Sequence, residues 1–425
     1  MNIECESEQL VKPIILTFTH YYLPGNLAGG PIRSITNMVD LLSDEFEFHL
    51  ITSDRDFGAD EPYKQVKLDQ WNSVGKAKVF YASDATLALH RLVKLFRETP
   101  HDVIYLNSFF DPIFTIRPLL LRRLGAITKK PLIIAPRGEF SEGAFALKYW
   151  KKAPYLMLSN MFNFYDDILW HASTIYERND IKRVFKVNSS YDLDNSISIA
   201  TDLVVLPDGK FIPDKPLLIA IAPNLCALSQ LAQEAQEAQE ARILQICFLS
   251  RISPKKNLSY ALRVLADVNV PACFFIYGPL EDQAYWSTCQ LLIAKLPEHI
   301  QVVYKGSVEH QQVVDTLAQH DLFFLPTLGE NFGHVIHEAL RAGIPILISD
   351  QTPWLDVEQN GVGWSLPLNL PASFVQAIES AAGWDAETRE GISRQVIAYA
   401  EEKGNNPQAI EYNLNLFRRV FTSIK

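Results

Sequence analysis

Two stretches of this chain alternate short apolar runs with longer helical patterns, and that alternation is the strongest constraint on its fold. In the first, PIILTF (13–18), FEFHLIT (46–52), KVFYA (78–82), DVIYLN (102–107) and PLIIAP (131–136) are strand-like, and the helical SITNMVDLL (34–42) follows the first of them. In the second, ILQICFLS (243–250), ACFFIYG (272–278), QVVYKG (301–306), DLFFLP (321–326) and PILISD (345–350) are strand-like, with helical segments between. Apolar runs separated by helices indicate parallel sheets covered on both faces. The sequence therefore predicts an α/β chain of two doubly wound, Rossmann-like domains. Its 425 residues are enough for both. The Pro-, Asp- and Gly-rich LPDGKFIPDKP (206–216) places the joint, giving domains 1–208 and 209–405. The last segment, 406–425, has helical spacing and is expected to pack back on the first domain. Ligands of open parallel sheets bind beyond the carboxyl ends of the strands. Two facing sheets thus predict an interdomain cleft.

Composition narrows the class of protein. With 48% apolar residues the chain can build sizeable cores, which excludes global disorder. Its net charge of −10 argues against nucleic acid as a partner. Through Lys210 there are 24 basic and 26 acidic residues, and after it 15 and 23, so the acidity sits in the back half. Five scattered cysteines without a CxxC pair predict buried thiols in a reducing compartment. The acidic opening MNIECESEQLVKP is unlike a signal peptide, and no run of eighteen apolar residues occurs. A soluble cytoplasmic protein is expected. The repetitive AQEAQEAQEA (232–241) reads as a solvated helix or insertion with no chemistry.

Three clusters carry the functional signal. In LPTLGENFGHVIHEALRAGIPILISD (325–350), an apolar strand is followed by a glycine-bearing turn and a helix ending at Gly343. The start of such a helix is a natural phosphate site. Glu330 precedes the helix and Glu338 falls in its second turn. Carboxylates would be misplaced beside a phosphate, but they accept pairs of hydroxyl hydrogen bonds well. A diphosphate flanked by two hydroxyl-bearing rings, as in a nucleotide sugar, fits. The competing reading makes Glu330 a helix cap and Glu338 a surface residue. The second cluster, FLSRISPKKNL (248–258), sets Arg251, Lys255, Lys256 and Asn257 after a strand, where cations suit a departing diphosphate. An exposed basic loop is the alternative. In the third, LPGNLAGGPIRS (23–34), Gly29 and Gly30 allow close approach of backbone to a ligand before a helix. No GxGxxG motif occurs, so a nicotinamide or flavin fingerprint is lacking.

Taken together, these clusters resemble the retaining glycosyltransferases of family 4, group 1 enzymes of the GT-B fold. Glu330 and Glu338 match the family's E-x7-E motif. SRISPKKN matches its G-R-L-x-x-x-K-N motif, with Ser250 in place of glycine. APRGEFSEGAFALK (135–148), HASTIYERNDI (171–181), YGPLED (277–282) and KGSVEHQQV (305–313) are further matches, and the resemblance spans about 13–370. It implies that Glu338 binds ribose hydroxyls and Glu330 binds those of the donor sugar. Arg251 and Lys256 would neutralise the diphosphate with backbone at Gly333 and His334, Gly29 and Gly30 would approach it from the other domain, and Ser307 and Val308 would hold the base. Many members carry a histidine-glycine pair near the reacting carbon. Here the stretch is Pro136-Arg137-Gly138-Glu139, so Arg137 is expected to act electrostatically, with Glu139 and His20 toward the acceptor.

The implied function is metal-independent transfer from a nucleotide sugar to a glycan or lipid-linked acceptor, with retention, in polysaccharide or lipopolysaccharide assembly. UDP-sugars are favoured by their frequency in the family, GDP-sugars remain open, and no cofactor is required. A GT-B nucleotide-sugar epimerase and a non-catalytic nucleotide-sugar binder are the alternatives. No metal site is expected. Asp54-Arg55-Asp56 and Asp192-Leu193-Asp194 spell DxD by chance, and His334 and His337 lack a third ligand. ALKYWKKAPYLMLSNMF (146–162) interleaves lysines with aromatics, and in the resemblance such front-domain surfaces touch the inner face of the plasma membrane. An ordinary helix packed on its sheet is the alternative.

Overall fold

The computed structural model describes residues 12–146, 149–162, 164–165, 167–185, 191–193, 197–200, 203–205, 211–213, 217–225, 243–404 and 406–422. Cys5, Cys226, Lys148, Asp194, the 232–241 repeat and most of the 206–216 joint lie outside them.

Two sheets organise the chain. In the first, strands lie in the order Trp71–Val74, Ala77–Ala82, Glu47–Ser53, Ile14–Phe18, Val103–Asn107, Leu132–Ala135, Ile168–Ala172, Leu217–Ile221, Ile197–Ala200, Tyr191–Leu193. From Ala77–Ala82 to Leu217–Ile221 every neighbouring pair is parallel, and antiparallel strands finish both edges. Period-two alternation divides the side chains between two cores. Leu16, Phe18, Ile104 and Leu106 enter one, and Ile15, Val103 and Tyr105 the other. Burial on both faces is why these strands read as unbroken apolar runs. The second sheet is wholly parallel, in the order Ile300–Gly306, Ala272–Tyr277, Leu244–Leu249, Leu322–Leu325, Ile346–Ser349, Gly363–Leu366. This is the GT-B architecture, two Rossmann-like domains across a cleft. Among the described residues, no helix is long and apolar enough to cross a membrane.

The boundary expected at 208/209 falls too early. Leu217–Ile221 pairs in register with Ile168–Ala172 and so belongs to the first sheet. Proline- and glycine-rich composition marks turns, and here the turns precede the first domain's last parallel strand. The second domain's sheet begins at Leu244 and its helical layer runs through Ala386–Gly404, whose Val396, Tyr399 and Ala400 enter that core. The chain then returns. Helix Pro407–Thr422 packs Leu416, Phe417 and Val420 into the first domain, with Phe417 5.4 Å from Phe46 between ring centroids.

Strand order positions the site. In the first sheet the order reverses between Ile14–Phe18 and Val103–Asn107, and in the second between Leu244–Leu249 and Leu322–Leu325. The loops leaving these four strands hold the glycine loop, the turn at 108–111, the basic loop after Ser250 and the turn at 327–333. Reversal leaves the connecting helices on opposite faces, and the gap between them is the crevice where ligands bind.

Candidate functional site

Helix His334–Arg341 opens on Gly333, in the left-handed region at φ 77, and no side chain caps it. A residue with a Cβ would be strained there and would also meet Ile336 at 2.7 Å. The uncapped end keeps its first N–H groups for a ligand and carries the positive end of the helix dipole. Glu330 is therefore not the helix cap; its own N–H donates to Gln351 O at 2.9 Å.

Gly30 approaches this helix from the opposite domain. A methyl group on Gly30 would lie only 3.8 Å from His334 Cδ2. Pro31 sits in the first turn of helix Gly30–Leu42, so that helix starts earlier than the apolar spacing suggests. A second close approach lies beside the first, where a Cβ on Gly138 would be 3.1 Å from Asn331 Cβ. Between these contacts is a cleft of about 230 Å³. Of the predicted residues, Gly29, Gly30, Arg137, Arg251, Lys256, Ser307, Val308, Glu330, Gly333 and His334 line it. Gly278 also lines it, at φ 132, where a Cβ would clash with Ser250 O at 1.9 Å. The chain thus closes around the basic loop without a side chain in the way.

The two glutamates are both buried and both paired. Glu330 Oε1 accepts from Lys256, with 11% and 12% of the two side chains exposed, and its Oε2 makes no hydrogen bond among the described residues. Burial alone would raise this carboxyl. The Lys256 and Lys255 ammonium groups outweigh it and hold Glu330 below its ordinary value. Glu338 is not a surface residue. Its Oε1 pairs with Arg33 of the other domain, while its buried Oε2 has no hydrogen-bond partner among the described residues. Here burial wins over Arg33, and the carboxyl is raised. An ionised group held this way needs further donors, since burying an unmatched carboxylate oxygen is costly. His334 is kept neutral, first by burial and then by Arg33, and its Nε2 meets Ser34 Oγ at 3.0 Å.

The basic loop is anchored from behind. Asn257, at φ 60, donates to Pro326 O at 2.9 Å, and Leu328 N donates to Lys255 O at 2.8 Å. Arg251 pairs with Glu281 at 3.1 Å and lies 5.9 Å from the Phe57 ring of the first domain. The basic loop is thus built into the cleft rather than free in solvent.

The two residues expected toward the acceptor are both held by neighbours within the first domain. Glu139 is turned inward, where Oε1 takes the Ser108 hydroxyl at 2.8 Å and Oε2 takes the N–H groups of Phe109 at 2.6 Å and Phe110 at 3.1 Å. Both oxygens are occupied in shaping that turn, with burial raising the carboxyl. His20 bonds Asp111 at 2.7 Å and stacks on Tyr21. The DxD aspartates of the first sheet are structural. Asp54 pairs with Arg55 at 2.8 Å, and Asp56 accepts from Asn26 N at 2.9 Å and Leu27 N at 3.2 Å, fastening the glycine loop. Among the described residues no group of three metal-ligating side chains occurs.

Glu177 was not singled out by sequence reasoning, yet it ties the domains together. Oε1 accepts Gly138 N at 2.6 Å, and Oε2 accepts Ser173 N and Oγ at 2.8 Å each and Asn331 Nδ2 at 3.1 Å. Its position in HASTIYERNDI reads as an ordinary first-turn helix residue, and only the fold brings Gly138 and Asn331 to it.

Residues 231–397 match the family model described as glycosyl transferases group 1. No curated protein matches the chain in sequence. Solved structures similar to it include sucrose-phosphate synthase from Thermosynechococcus elongatus, with TM-score 0.68, 13% identity and 97% and 100% of the two chains covered. Anabaena HepE in complex with UDP-glucose has TM-score 0.59 and 14% identity over 96% and 99% of the chains. WaaG, a glycosyltransferase involved in lipopolysaccharide biosynthesis, has TM-score 0.60 and 11% identity over 95% and 99%. At these identities the likeness is one of fold.

Removing the Glu177 carboxylate leaves several buried donors unmatched. Glu177→Ala is expected to cost at least about 2 kcal/mol in chemical denaturation, with Glu177→Gln losing less. A loss indistinguishable from that of an exposed glutamate variant would contradict the bridging role.

Proposed function

We propose that this chain is a group 1 glycosyltransferase that moves a sugar from a nucleotide sugar to a glycan or lipid-linked acceptor, with retention of configuration and without a metal. The observation that carries the reading is the pair of incompletely matched carboxylates, Glu330 and Glu338, on either side of an uncapped helix N-terminus. A diphosphate belongs at that terminus. A hydroxyl-bearing ring belongs at each carboxylate, ribose at Glu338 Oε2 and the transferred sugar at Glu330 Oε2. Backbone at Ser307 and Val308 holds the base. The family match over 231–397 and the fold shared with structures holding UDP-glucose support the same reading. The second domain is the donor side, and the first, with the returning helix on its back, is the acceptor side.

Breaking the sugar–diphosphate bond leaves positive charge on the ring and negative charge on the departing oxygen. Lys256, Arg251 and the helix N-terminus face the second charge and require no reorganisation as it forms. Attack from the face the diphosphate leaves lets that diphosphate take the acceptor's proton, and retention follows. Polysaccharide or lipopolysaccharide assembly is the setting we propose, with UDP-sugars favoured over GDP-sugars.

The front-domain helix Tyr149–Met161 exposes Trp150, Met157, Leu158 and Met161 beside Lys151, with no acidic residue on the helix. That combination suits a peripheral contact with anionic lipid. Sedimentation with phosphatidylglycerol vesicles is expected to carry the protein down, and Trp150→Ser with Met157→Ser to release it. Equal pelleting of both proteins would remove the membrane from this account.

Calorimetry with UDP, GDP and ADP in excess EDTA tests the donor reading. One nucleotide is expected to bind, and to weaken at least about tenfold, roughly 1.4 kcal/mol, in Glu338→Ala. Because burial raises the Glu338 carboxyl, acidification is expected to protonate it before an ordinary glutamate and to weaken binding. Equal binding by both proteins, or binding abolished by EDTA, would overturn the assignment.

A further inference from the structure

We infer that the cleft takes a sugar carrying an anionic group, a carboxylate or a phosphate, and that Arg137 is the residue that reads it. The inference rests on the function proposed above and names the substrate class of the same site.

A guanidinium has five N–H donors. Three of those on Arg137 are occupied: Nε donates to Asn107 Oδ1 at 2.7 Å, Nη1 to Asn224 Oδ1, and Nη2 to the Tyr105 hydroxyl at 2.8 Å. Two remain, one on each terminal nitrogen, on a side chain that lines the cleft. That is the complement needed for bidentate pairing with a carboxylate or phosphate.

All three partners are neutral. Behind Tyr105, His171 accepts at Nδ1 over 2.8 Å and donates from Nε2 to Ala222 O at 2.7 Å. Burial, then Arg137 itself, lowers His171 to about 3, so it is an uncharged relay. Among the described residues no carboxylate forms an ion pair with Arg137. Glu177, the acid on the adjoining Gly138, has both oxygens occupied by Gly138, Ser173 and Asn331. A half-buried cation fixed by neutral groups is stabilised most by an anion brought to it. The backbone supports a built site: Arg137 is held at φ 55, a conformation that costs energy for any residue with a Cβ.

Arg137 and the basic loop enter the cleft from opposite domains. The uncapped helix end faces Gly30, and Lys256 and Arg251 stand on the same domain as that helix. Arg137 belongs to the opposite domain, beside the Gly138–Asn331 approach, and lines the same cleft as Glu330. Asn331 follows Glu330 in the chain, so these free donors are assigned to the sugar side of the cleft, where a neutral hexose would leave the charge unmatched. The anion belongs either to the transferred sugar or to the acceptor.

Calorimetry distinguishes the sources. UDP-glucuronate is compared with UDP-glucose, GDP-mannuronate with GDP-mannose, and glucose 6-phosphate with glucose on protein saturated with the nucleotide that binds. Each pair is titrated into wild type, Arg137→Gln and Arg137→Lys, and the affinity ratio within a protein is read. Wild type is expected to favour the anionic member of one pair at least about tenfold. Arg137→Gln should bring that ratio near one, and Arg137→Lys should keep part of it. Preference in a donor pair places the anion on the transferred sugar, and preference in the acceptor pair places it on the acceptor. A wild-type ratio near one in every pair, or a preference that survives in Arg137→Gln, overturns the inference while leaving nucleotide binding intact. Failure of any nucleotide to bind wild type overturns the proposed function and this inference with it.

Discussion

The site depends on one constraint: a helix N-terminus left without a cap at a strand's carboxyl end. Gly333 in the left-handed region starts helix His334–Arg341 with no side chain over its first N–H groups. Natural helices usually satisfy these groups with a Ser, Thr, Asn or Asp side chain. Here the turn is held by other means, with Glu330 N on Gln351 O and Trp354 Nε1 on Phe332 O at 2.5 Å. The donors stay open toward the cleft, and the opposite domain brings Gly30 close to the helix's first residue. Everything else is arranged around that opening. The basic loop comes from the neighbouring strand of the second sheet, and the glycine loop from the strand at the first sheet's switch point.

Carboxylate chemistry separates structure from function in this molecule. Four buried glutamates lie near the cleft. Glu139 and Glu177 have both oxygens occupied by protein N–H and hydroxyl donors. Glu330 and Glu338 each have one oxygen on a cation and one without a hydrogen-bond partner among the described residues. The first pair shapes turns, and the second has acceptor capacity left over. Arg137 is the matching case among the cations, with donor capacity left over and no counter-charge in contact. Incomplete satisfaction inside an otherwise well-bonded interior marks where a ligand's polar groups belong.

The fold was legible because both faces of the central strands are buried, so each wrote an apolar run into the sequence. Strands of mixed composition were not legible. Trp71–Val74 is a polar edge, and Ile168–Ala172 carries His171, which the fold buries against Tyr105. The domain boundary was misplaced because turn composition does not say which sheet the next strand joins. At the site, motif spacing identified Glu330, Glu338 and the basic loop, although Lys256 stands 74 residues from its partner Glu330. Arg33 was missed because its partner Glu338 is 305 residues away. Glu139 was expected toward the acceptor from the family resemblance at 136–139, and its side chain turns back to hold Phe109 and Phe110. No local pattern records such pairings.

The central claim is that a nucleotide sits between the Gly29–Gly30 loop and the start of helix His334–Arg341. Hydrogen–deuterium exchange with and without the bound nucleotide reads both segments at once. The account predicts slower exchange in residues 29–34 and 333–338 together, since one ligand covers N–H groups of both domains. Protection confined to one of the two segments, or absent from both, would contradict it.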